Sequence, residues 1–159
     1  MSAPRVALRQ ADEAIVRAVA QGDRPESGWA DDFPSEGDLA GLQMSRFDAD
    51  SHEPWAASWL ILVDGVVAGT IGFKGAPSPD NVAEIGYGVV RSQWGRGVAS
   101  SALAQLLTLL AGRSLDLYAE TTTQNLASQA VLRKSGFEAV GERRDRNDGD
   151  LVVWRRHVD

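Results

Sequence analysis

The chain has 159 residues, of which 43% are hydrophobic and 24% charged, and we interpret residues 1–159 as one folded domain. The formal net charge of −6 argues against a nucleic-acid partner and favours a neutral or cationic one, such as an amine. Cysteine is absent, which excludes disulfides, thiolate metal sites and a cysteine nucleophile. Without a signal-peptide pattern or a membrane-length apolar run, we expect a cytoplasmic protein with no membrane contact.

Hydrophobic periodicity predicts eleven elements in the order β α α β β β α β α β β. They cover residues 6–11, 12–21, 35–47, 59–63, 66–73, 82–90, 98–110, 114–122, 125–137, 138–145 and 151–158. The pattern indicates a mixed α/β domain. Its central, twisted sheet is mostly antiparallel, with flanking helices and one βαβ crossover in the second half.

Local signals fix several of these boundaries. Asp12 is predicted to cap the first helix. Ser35 with Asp38 resembles a capping box, which opens a helix that runs through about Phe47. The pair Asp64-Gly65 tolerates positive φ between two apolar β-branched runs, which predicts a two-residue hairpin turn.

The stretch "QWGRGVASSAL", residues 93–103, joins a predicted strand to a predicted helix through two glycines. Gly95 and Gly97 either turn the chain or let an anion approach unpaired helix N–H groups. A Walker A loop is excluded because no Gly-Lys-Ser/Thr follows. A dinucleotide fingerprint is nearly matched, with Ser100 in the third glycine position and Glu120 downstream. That fold, however, needs its glycines in the first βα unit and more strands afterwards.

A third interpretation comes from a resemblance. The runs "AEIGYGVVRSQWGRGVASSALAQLL" and "NLASQAVLRKSGFEAVGE" resemble the GNAT superfamily of acyl-CoA-dependent N-acetyltransferases, and most of all the branch with the ribosomal-protein N-terminal acetyltransferases. The match covers roughly residues 83 to 142. It implies a single GNAT-like domain with a βαβ acyl-CoA site, acetyl-CoA as donor and no metal. Dimers are common in this family, so the resemblance is compatible with a homodimer, although the sequence does not determine the oligomeric state.

The resemblance assigns the diphosphate of coenzyme A to one turn. Its members here are Trp94, Gly95, Arg96, Gly97, Val98, Ala99 and Ser100. The main-chain groups of Val89 and Val90 are expected to bind the pantetheine arm, as is Asn125. Two departures stand out: Trp94 replaces the usual Gln or Arg, and Ser100-Ser101 replaces the frequent Thr-Glu.

Acetyl transfer to an amine requires a proton acceptor and stabilisation of the departing thiolate. Glu84 is the first candidate for the acceptor, because strand alternation places it beside Gly86 and Gly88 on a face that a ligand can approach. The alternative interpretation of Glu84 is an ordinary surface carboxylate on a half-buried strand. The resemblance places the Ser128 hydroxyl near the cofactor sulfur. It also expects a tyrosine general acid at the position that is Leu132 here, so Ser128 or a water is the expected acid.

Other residues carry weaker signals. Asn125 has a structural role available as a helix N-cap. The acid-rich stretch 31–38 with Trp29 and Phe33 is either a lip for a cationic acceptor or a solvated loop. His52 and His157 have no partners at metal or triad spacing.

These observations favour transfer of an acetyl group from acetyl-CoA to a primary amine by direct attack in a ternary complex. The acceptor is a protein N-terminus or a small molecule, and the sequence does not distinguish them. The alternative from another class is a non-catalytic acyl-CoA-binding or regulatory module, and a dinucleotide-binding domain is a remote third.

Overall fold

The structure is a computed structural model that describes residues 2–23, 28–43, 48 and 50–159. In this part of the chain the strands are β1 (Val6–Gln10), β2 (Trp59–Val63), β3 (Val66–Phe73), β4 (Val82–Val89), β5 (Leu115–Thr122), β6 (Glu138–Asp145) and β7 (Gly149–Val158). The α-helices are α1 (Glu13–Ala20), α2 (Glu36–Gln43), α3 (Val98–Thr108) and α4 (Leu126–Lys134). The predicted order of elements is confirmed. None of the described helices is long and apolar enough to cross a membrane.

All seven strands form one sheet in the order β1-β2-β3-β4-β5-β7-β6. Every neighbouring pair is antiparallel except β4 and β5, which are parallel and joined through α3. The predicted mostly antiparallel sheet with one βαβ crossover is therefore confirmed. The parallel pairing runs only from Val82↔Asp116 to Glu84↔Tyr118, whereas β4 stays paired with β3 as far as Val89. Beyond Glu84 the sheet is consequently open between β4 and β5.

The predicted local signals form the expected contacts. The Asp12 carboxylate accepts a hydrogen bond from the Ile15 N–H at 2.8 Å. Ser35 and Asp38 make the reciprocal capping-box bonds, at 3.2 Å to the Asp38 N–H and 2.9 Å to the Ser35 N–H. The predicted helix end near Phe47 falls in residues 44–47, which lie outside the described residues. Asp64 and Gly65 both have positive φ, at 49° and 86°, as the hairpin turn requires.

The core lies between the sheet and the helices. Leu103 and Leu106 of α3 are fully buried, as is Trp154 of β7. Trp29 and Phe33 are also buried, in an edge-to-face contact with ring centroids 5.0 Å apart. Burial rules out these two rings as an exposed lip for an acceptor, because their surface is already used in packing.

One close backbone approach fixes the spacing of β3 and β4. A Cβ added at Gly69 would lie 2.3 Å from the Gly88 carbonyl oxygen, a separation that a real Cβ does not reach. The two strands can pair at this distance only because residue 69 has no side chain.

We therefore predict that Gly69→Ala lowers the free energy of unfolding by about 1–3 kcal/mol, because the backbone must shift to admit the methyl group. Gly72→Ala is the matched control, since its added Cβ would meet no atom closer than 3.6 Å. Chemical denaturation of both variants measures the difference. Equal unfolding midpoints for the two would contradict the close approach.

Candidate active site

The glycine turn follows β4 after one short 3₁₀ turn, Arg91–Gln93, and leads into α3. Gly95 and Gly97 adopt left-handed conformations with φ of 72° and 75°, and a Cβ on either would meet no atom within 4 Å. Gly97 occupies the N-cap position of α3, and no side chain caps this end of the helix. The first N–H groups of an α-helix lack partners within the helix and carry a partial positive charge. The turn therefore offers an open backbone surface suited to an anion.

Other groups of the protein already contact the main chain at the end of β4. The exposed Trp94 ring donates its indole N–H to the Val89 carbonyl at 2.7 Å. The Val90 N–H donates to Ala68 at 2.9 Å, and the Val90 carbonyl accepts from Gln93 at 3.0 Å. A carbonyl has two lone pairs, so both carbonyls keep acceptor capacity. The Val90 N–H, by contrast, is committed to β3.

Side chains from two loops hold the turn in position. The Arg96 guanidinium donates to the Gln93 side chain and lies 3.8 Å from the Asp64 carboxylate in the β2–β3 turn. The Asp32 carboxylate accepts from the Ser92 N–H at 2.9 Å and from the Ser92 hydroxyl at 2.7 Å. These two bonds, the backbone one first, hold the pKa of Asp32 below its usual value. Asp32 of the acid-rich loop is thereby hydrogen-bonded to Ser92, which lies just before the glycine turn.

A cavity of about 340 Å³ occupies the opening between β4 and β5. Helix α2 contributes Gly37, Ala40 and Gly41 to its wall, and α4 contributes Ser128 and Leu132. The two helices lie on opposite faces of β4, since the Asp38 carboxylate of α2 approaches Gly88 while α4 contacts the adjacent Tyr87. The cavity is therefore accessible to groups from both faces of the sheet.

Two glycines and two charged residues also line the cavity. Gly86 and Gly88 line it, as the alternation of β4 predicted for a face that a ligand approaches. Lys74, the residue that follows β3, and Glu120 of β5 contribute the charged side chains. The Glu120 carboxylate is bound by the Arg143 guanidinium at 2.8 and 3.0 Å.

Glu84 lies beside this cavity rather than in its wall. Its carboxylate forms an ion pair with Lys74, with Nζ and Oε1 2.7 Å apart. Lys74 itself lines the cavity, so the carboxylate is connected to the cavity wall through this ion pair. The sequence placed Glu84 on the correct face of β4 but gave no sign of this partner ten residues away.

Ser128 and Asn125 meet in the first turn of α4. The Asn125 side-chain oxygen, Oδ1, accepts a hydrogen bond from the Ser128 N–H at 3.1 Å, which confirms the N-cap role of Asn125. A cofactor contact by Asn125 can use its amide NH₂ group or the second lone pair of its side-chain oxygen. Ser128 points its hydroxyl toward β4, where it meets a phenol.

That phenol belongs to Tyr87. Its oxygen lies 2.8 Å from the Ser128 Oγ and 3.4 Å from the Ser128 carbonyl oxygen. Burial raises the pKa of Tyr87, and the Ser128 hydrogen bond offsets only part of this effect. Leu132, where the resemblance expected a tyrosine, is fully buried. The chain thus presents a tyrosine hydroxyl to α4 from the neighbouring strand.

The sequence also missed two further clusters. The capping box identified Asp38 but not its burial, nor the 2.8 Å hydrogen bond it accepts from Thr70 of β3. His157 lies between Asp116 and Asp159, at 2.7 and 2.8 Å, and these contacts raise its pKa. This cluster is on the surface and does not line the cavity. Among the described residues, no group of three or more His, Cys, Asp or Glu side chains is arranged to hold a metal ion.

An open sheet, a glycine turn at a helix N-terminus and a cavity between parallel strands together define an acetyltransferase domain of the GNAT type. The sequence profile of the acetyltransferase (GNAT) domain matches residues 5–138, so the chain belongs to this family. The resemblance found in the motifs is confirmed. No curated protein matches the chain significantly.

Solved structures give the same fold. One probable acetyltransferase is 27% identical over 63% of this chain, with a TM-score of 0.58, and this chain spans only 60% of it. RimL, a ribosomal L7/L12 α-N-protein acetyltransferase in complex with coenzyme A, is 24% identical with a TM-score of 0.68, covering 97% of this chain and 94% of its own. Mycobacterium smegmatis RimJ, in complex with a CoA-disulfide, is 22% identical with a TM-score of 0.64, covering 98% and 86%.

The environment of the tyrosines predicts their titration. Burial raises the pKa of both Tyr87 and Tyr118, and the Glu120 carboxylate adds to the effect at Tyr118. These are the two tyrosines of the sequence. Because the folded state favours the protonated phenols, their contribution to stability is intact below pH 10, the ordinary pKa, and is lost as pH rises through the folded values.

We expect ultraviolet titration of the native protein to show less than half of the tyrosine ionised at pH 10, whereas the denatured chain should be half ionised there. Tyr87→Phe should remove one of the two late-titrating groups. Superimposable native and denatured curves would contradict this environment.

Proposed function

We propose that the protein transfers an acetyl group from acetyl-CoA to a primary amine, by direct attack of the amine on the thioester in a ternary complex. The observation that carries this proposal is the opening between β4 and β5, which begins beside the glycine turn and ends in a cavity with access from two faces. Because the sequence has no cysteine, a cysteinyl acyl-enzyme is excluded, and direct attack by the amine is the route we propose.

The donor's diphosphate is proposed to bind the turn through main-chain N–H groups of residues 95–100. The left-handed glycines and the uncapped start of α3 support this, since both expose donors to an anion. Arg96 supplies the nearby positive charge, and it would contact a phosphate by exchanging its present contacts with Gln93 and Asp64. The Trp94 indole N–H donates to the Val89 carbonyl, so this side chain is not assigned a hydrogen bond to the diphosphate.

The pantetheine arm is proposed to follow the end of β4 from the turn toward the cavity. The Val89 and Val90 carbonyls can accept from the amide groups of the arm, the first after the Trp94 ring has moved aside or by sharing its second lone pair. Asn125 offers its amide from the other side of the opening. This course brings the thioester to the wall formed by Ser128.

The acceptor amine is proposed to enter from the α2 face, past Gly86 and Gly88. Glu84 is the proposed proton acceptor, and an incoming amine would compete with Lys74 for its carboxylate. A water molecule between the amine and Glu84 would serve the same purpose. The likeness to RimL, an α-N-protein acetyltransferase, supports a protein N-terminus as acceptor, and the cavity volume of about 340 Å³ also admits a small amine.

Removing a glycine from the turn tests the diphosphate site. We predict that Gly97→Ala weakens coenzyme A binding more than about tenfold, because the new methyl group occupies the surface the anion approaches. Gly112→Ala is the control, since it has a similar φ of 81° and equally open surroundings. Calorimetric titration with coenzyme A measures both. Unchanged affinity in Gly97→Ala, or binding of NAD in place of coenzyme A, would refute the assignment.

Turnover tests the chemistry. We predict that Glu84→Gln lowers kcat about a hundredfold, with KM for acetyl-CoA changed less than about twofold, because it removes the proton acceptor and leaves the donor site intact. Thiol release with a panel of amines and N-terminal peptides gives the rates, and Glu142→Gln on the exposed face of β6 is the control. Wild-type rates in Glu84→Gln would exclude this residue as the base. Tight acetyl-CoA binding with no turnover in the wild type would instead favour the non-catalytic module.

A further inference from the structure

Tyr87 and Ser128 form a hydroxyl pair in the wall of the cavity. They are 41 residues apart in sequence, and their oxygen atoms lie 2.8 Å apart where β4 faces the first turn of α4. Both residues line the cavity. The proposed course of the donor brings the thioester to Ser128 but gives Tyr87 no role.

The position of Ser128 is fixed from two sides. Its N–H is held by the Asn125 side chain at 3.1 Å, which ties the residue to the start of α4. Its hydroxyl contacts the Tyr87 phenol. Two Ser128 acceptors are within reach of that phenol, and the hydroxyl oxygen at 2.8 Å is closer than the carbonyl oxygen at 3.4 Å. A serine hydroxyl has one proton and rotates freely unless a partner orients it. The phenol is that partner.

The direction of the hydrogen bond between the two hydroxyls decides what Ser128 can do. If Ser128 donated to Tyr87, its only proton would be used within the protein. If Tyr87 donates to the Ser128 Oγ, the serine proton is left for a third group, and the cavity is the space in which that group lies. Burial raises the pKa of Tyr87, which keeps the phenol protonated and able to donate. The Ser128 Oγ, at 2.8 Å, is the nearer acceptor for that proton, because the Ser128 carbonyl oxygen lies at 3.4 Å.

We propose that Tyr87 is a positioning residue for thioester cleavage: its hydroxyl donates to Ser128 and directs the Ser128 proton toward the leaving sulfur. This inference rests on the proposed function. It gives the chain a tyrosine hydroxyl that acts on α4 from β4, while Leu132 fills the position in α4 itself.

The step balances without another reactant. As the tetrahedral intermediate collapses, the C–S bond breaks and its electron pair stays on sulfur. The Ser128 hydroxyl donates a hydrogen bond to the thiolate as charge develops there, which is where a preoriented donor has most effect. The thiolate then takes a proton from water. Glu84, which has accepted the proton of the attacking nitrogen, releases that proton to water, so the number of protons is unchanged.

The purely structural alternative is that the Tyr87 ring only packs the wall. In that case Phe would replace it without consequence for the sulfur. Tyr118 provides a matched control, because its hydroxyl donates to Glu120 at 2.9 Å and has no contact with Ser128.

The pKa of the thiol of bound coenzyme A tests the inference without any acceptor. The thiolate absorbance of the complex is followed against pH in the wild type, Tyr87→Phe, Ser128→Ala, the double variant and Tyr118→Phe. We expect the thiol pKa to be about one unit higher in Tyr87→Phe, in Ser128→Ala and in the double variant than in the wild type, because each loses the oriented donor. Tyr118→Phe should match the wild type.

Turnover provides the second measurement. Ser128→Ala should lower kcat about a hundredfold and Tyr87→Phe about tenfold, with KM for acetyl-CoA nearly constant, and the double variant should equal Ser128→Ala because the two residues act as one unit. A thiol pKa in Tyr87→Phe equal to that of the wild type overturns the inference, as does an equal effect of Tyr87→Phe in the wild-type and Ser128→Ala backgrounds. Absence of turnover in the wild type refutes the proposed function, while the thiol pKa still decides the role of Tyr87 at the bound sulfur.

Discussion

The parallel pairing of β4 and β5 ends at Glu84 and Tyr118, and the rest of the site depends on that early end. β4 remains hydrogen-bonded to β3 through Val89, and β5 remains bonded to β7 along its whole length. Each strand therefore keeps a rigid neighbour on its outer side while the two separate from each other. The opening costs few hydrogen bonds within the sheet and creates a cavity that both faces can reach.

The glycine turn and the helices α2 and α4 each contribute a different kind of group to the surroundings of the opening between β4 and β5. The turn after β4 presents N–H groups of α3, α4 presents the oriented Ser128 hydroxyl, and α2 closes the opposite side with small residues. The Asp32–Ser92 bonds connect the acid-rich loop to the approach to the turn. Because Gly86 and Tyr87 point to opposite faces of β4, a donor along one face and an acceptor on the other can meet at the same strand.

Signals close in sequence were sufficient for much of the fold. The Asp12 cap, the Ser35–Asp38 box and the Asp64-Gly65 turn each depend on residues a few positions apart, and the order of elements followed from hydrophobic periodicity. The motifs around the glycine turn were sufficient to indicate the family. Contacts between distant residues were not predictable in this way: the Tyr87–Ser128 pair joins residues 41 positions apart, and the Thr70–Asp38 bond joins residues 32 apart. Periodicity placed Glu84 and Tyr87 on their faces of β4, but it could not reveal the Lys74 ion pair or the Trp94 contact with Val89, because side-chain partners depend on how the strands and loops pack.

A crystal structure of the protein with coenzyme A is the most direct test of the proposed donor site, because it shows where the cofactor lies. We predict the diphosphate within hydrogen-bonding distance of the main-chain N–H groups of residues 95–100, the arm along the end of β4, and the sulfur in contact with the Ser128 hydroxyl. A diphosphate bound away from the turn, or a sulfur outside the opening between β4 and β5, would contradict it.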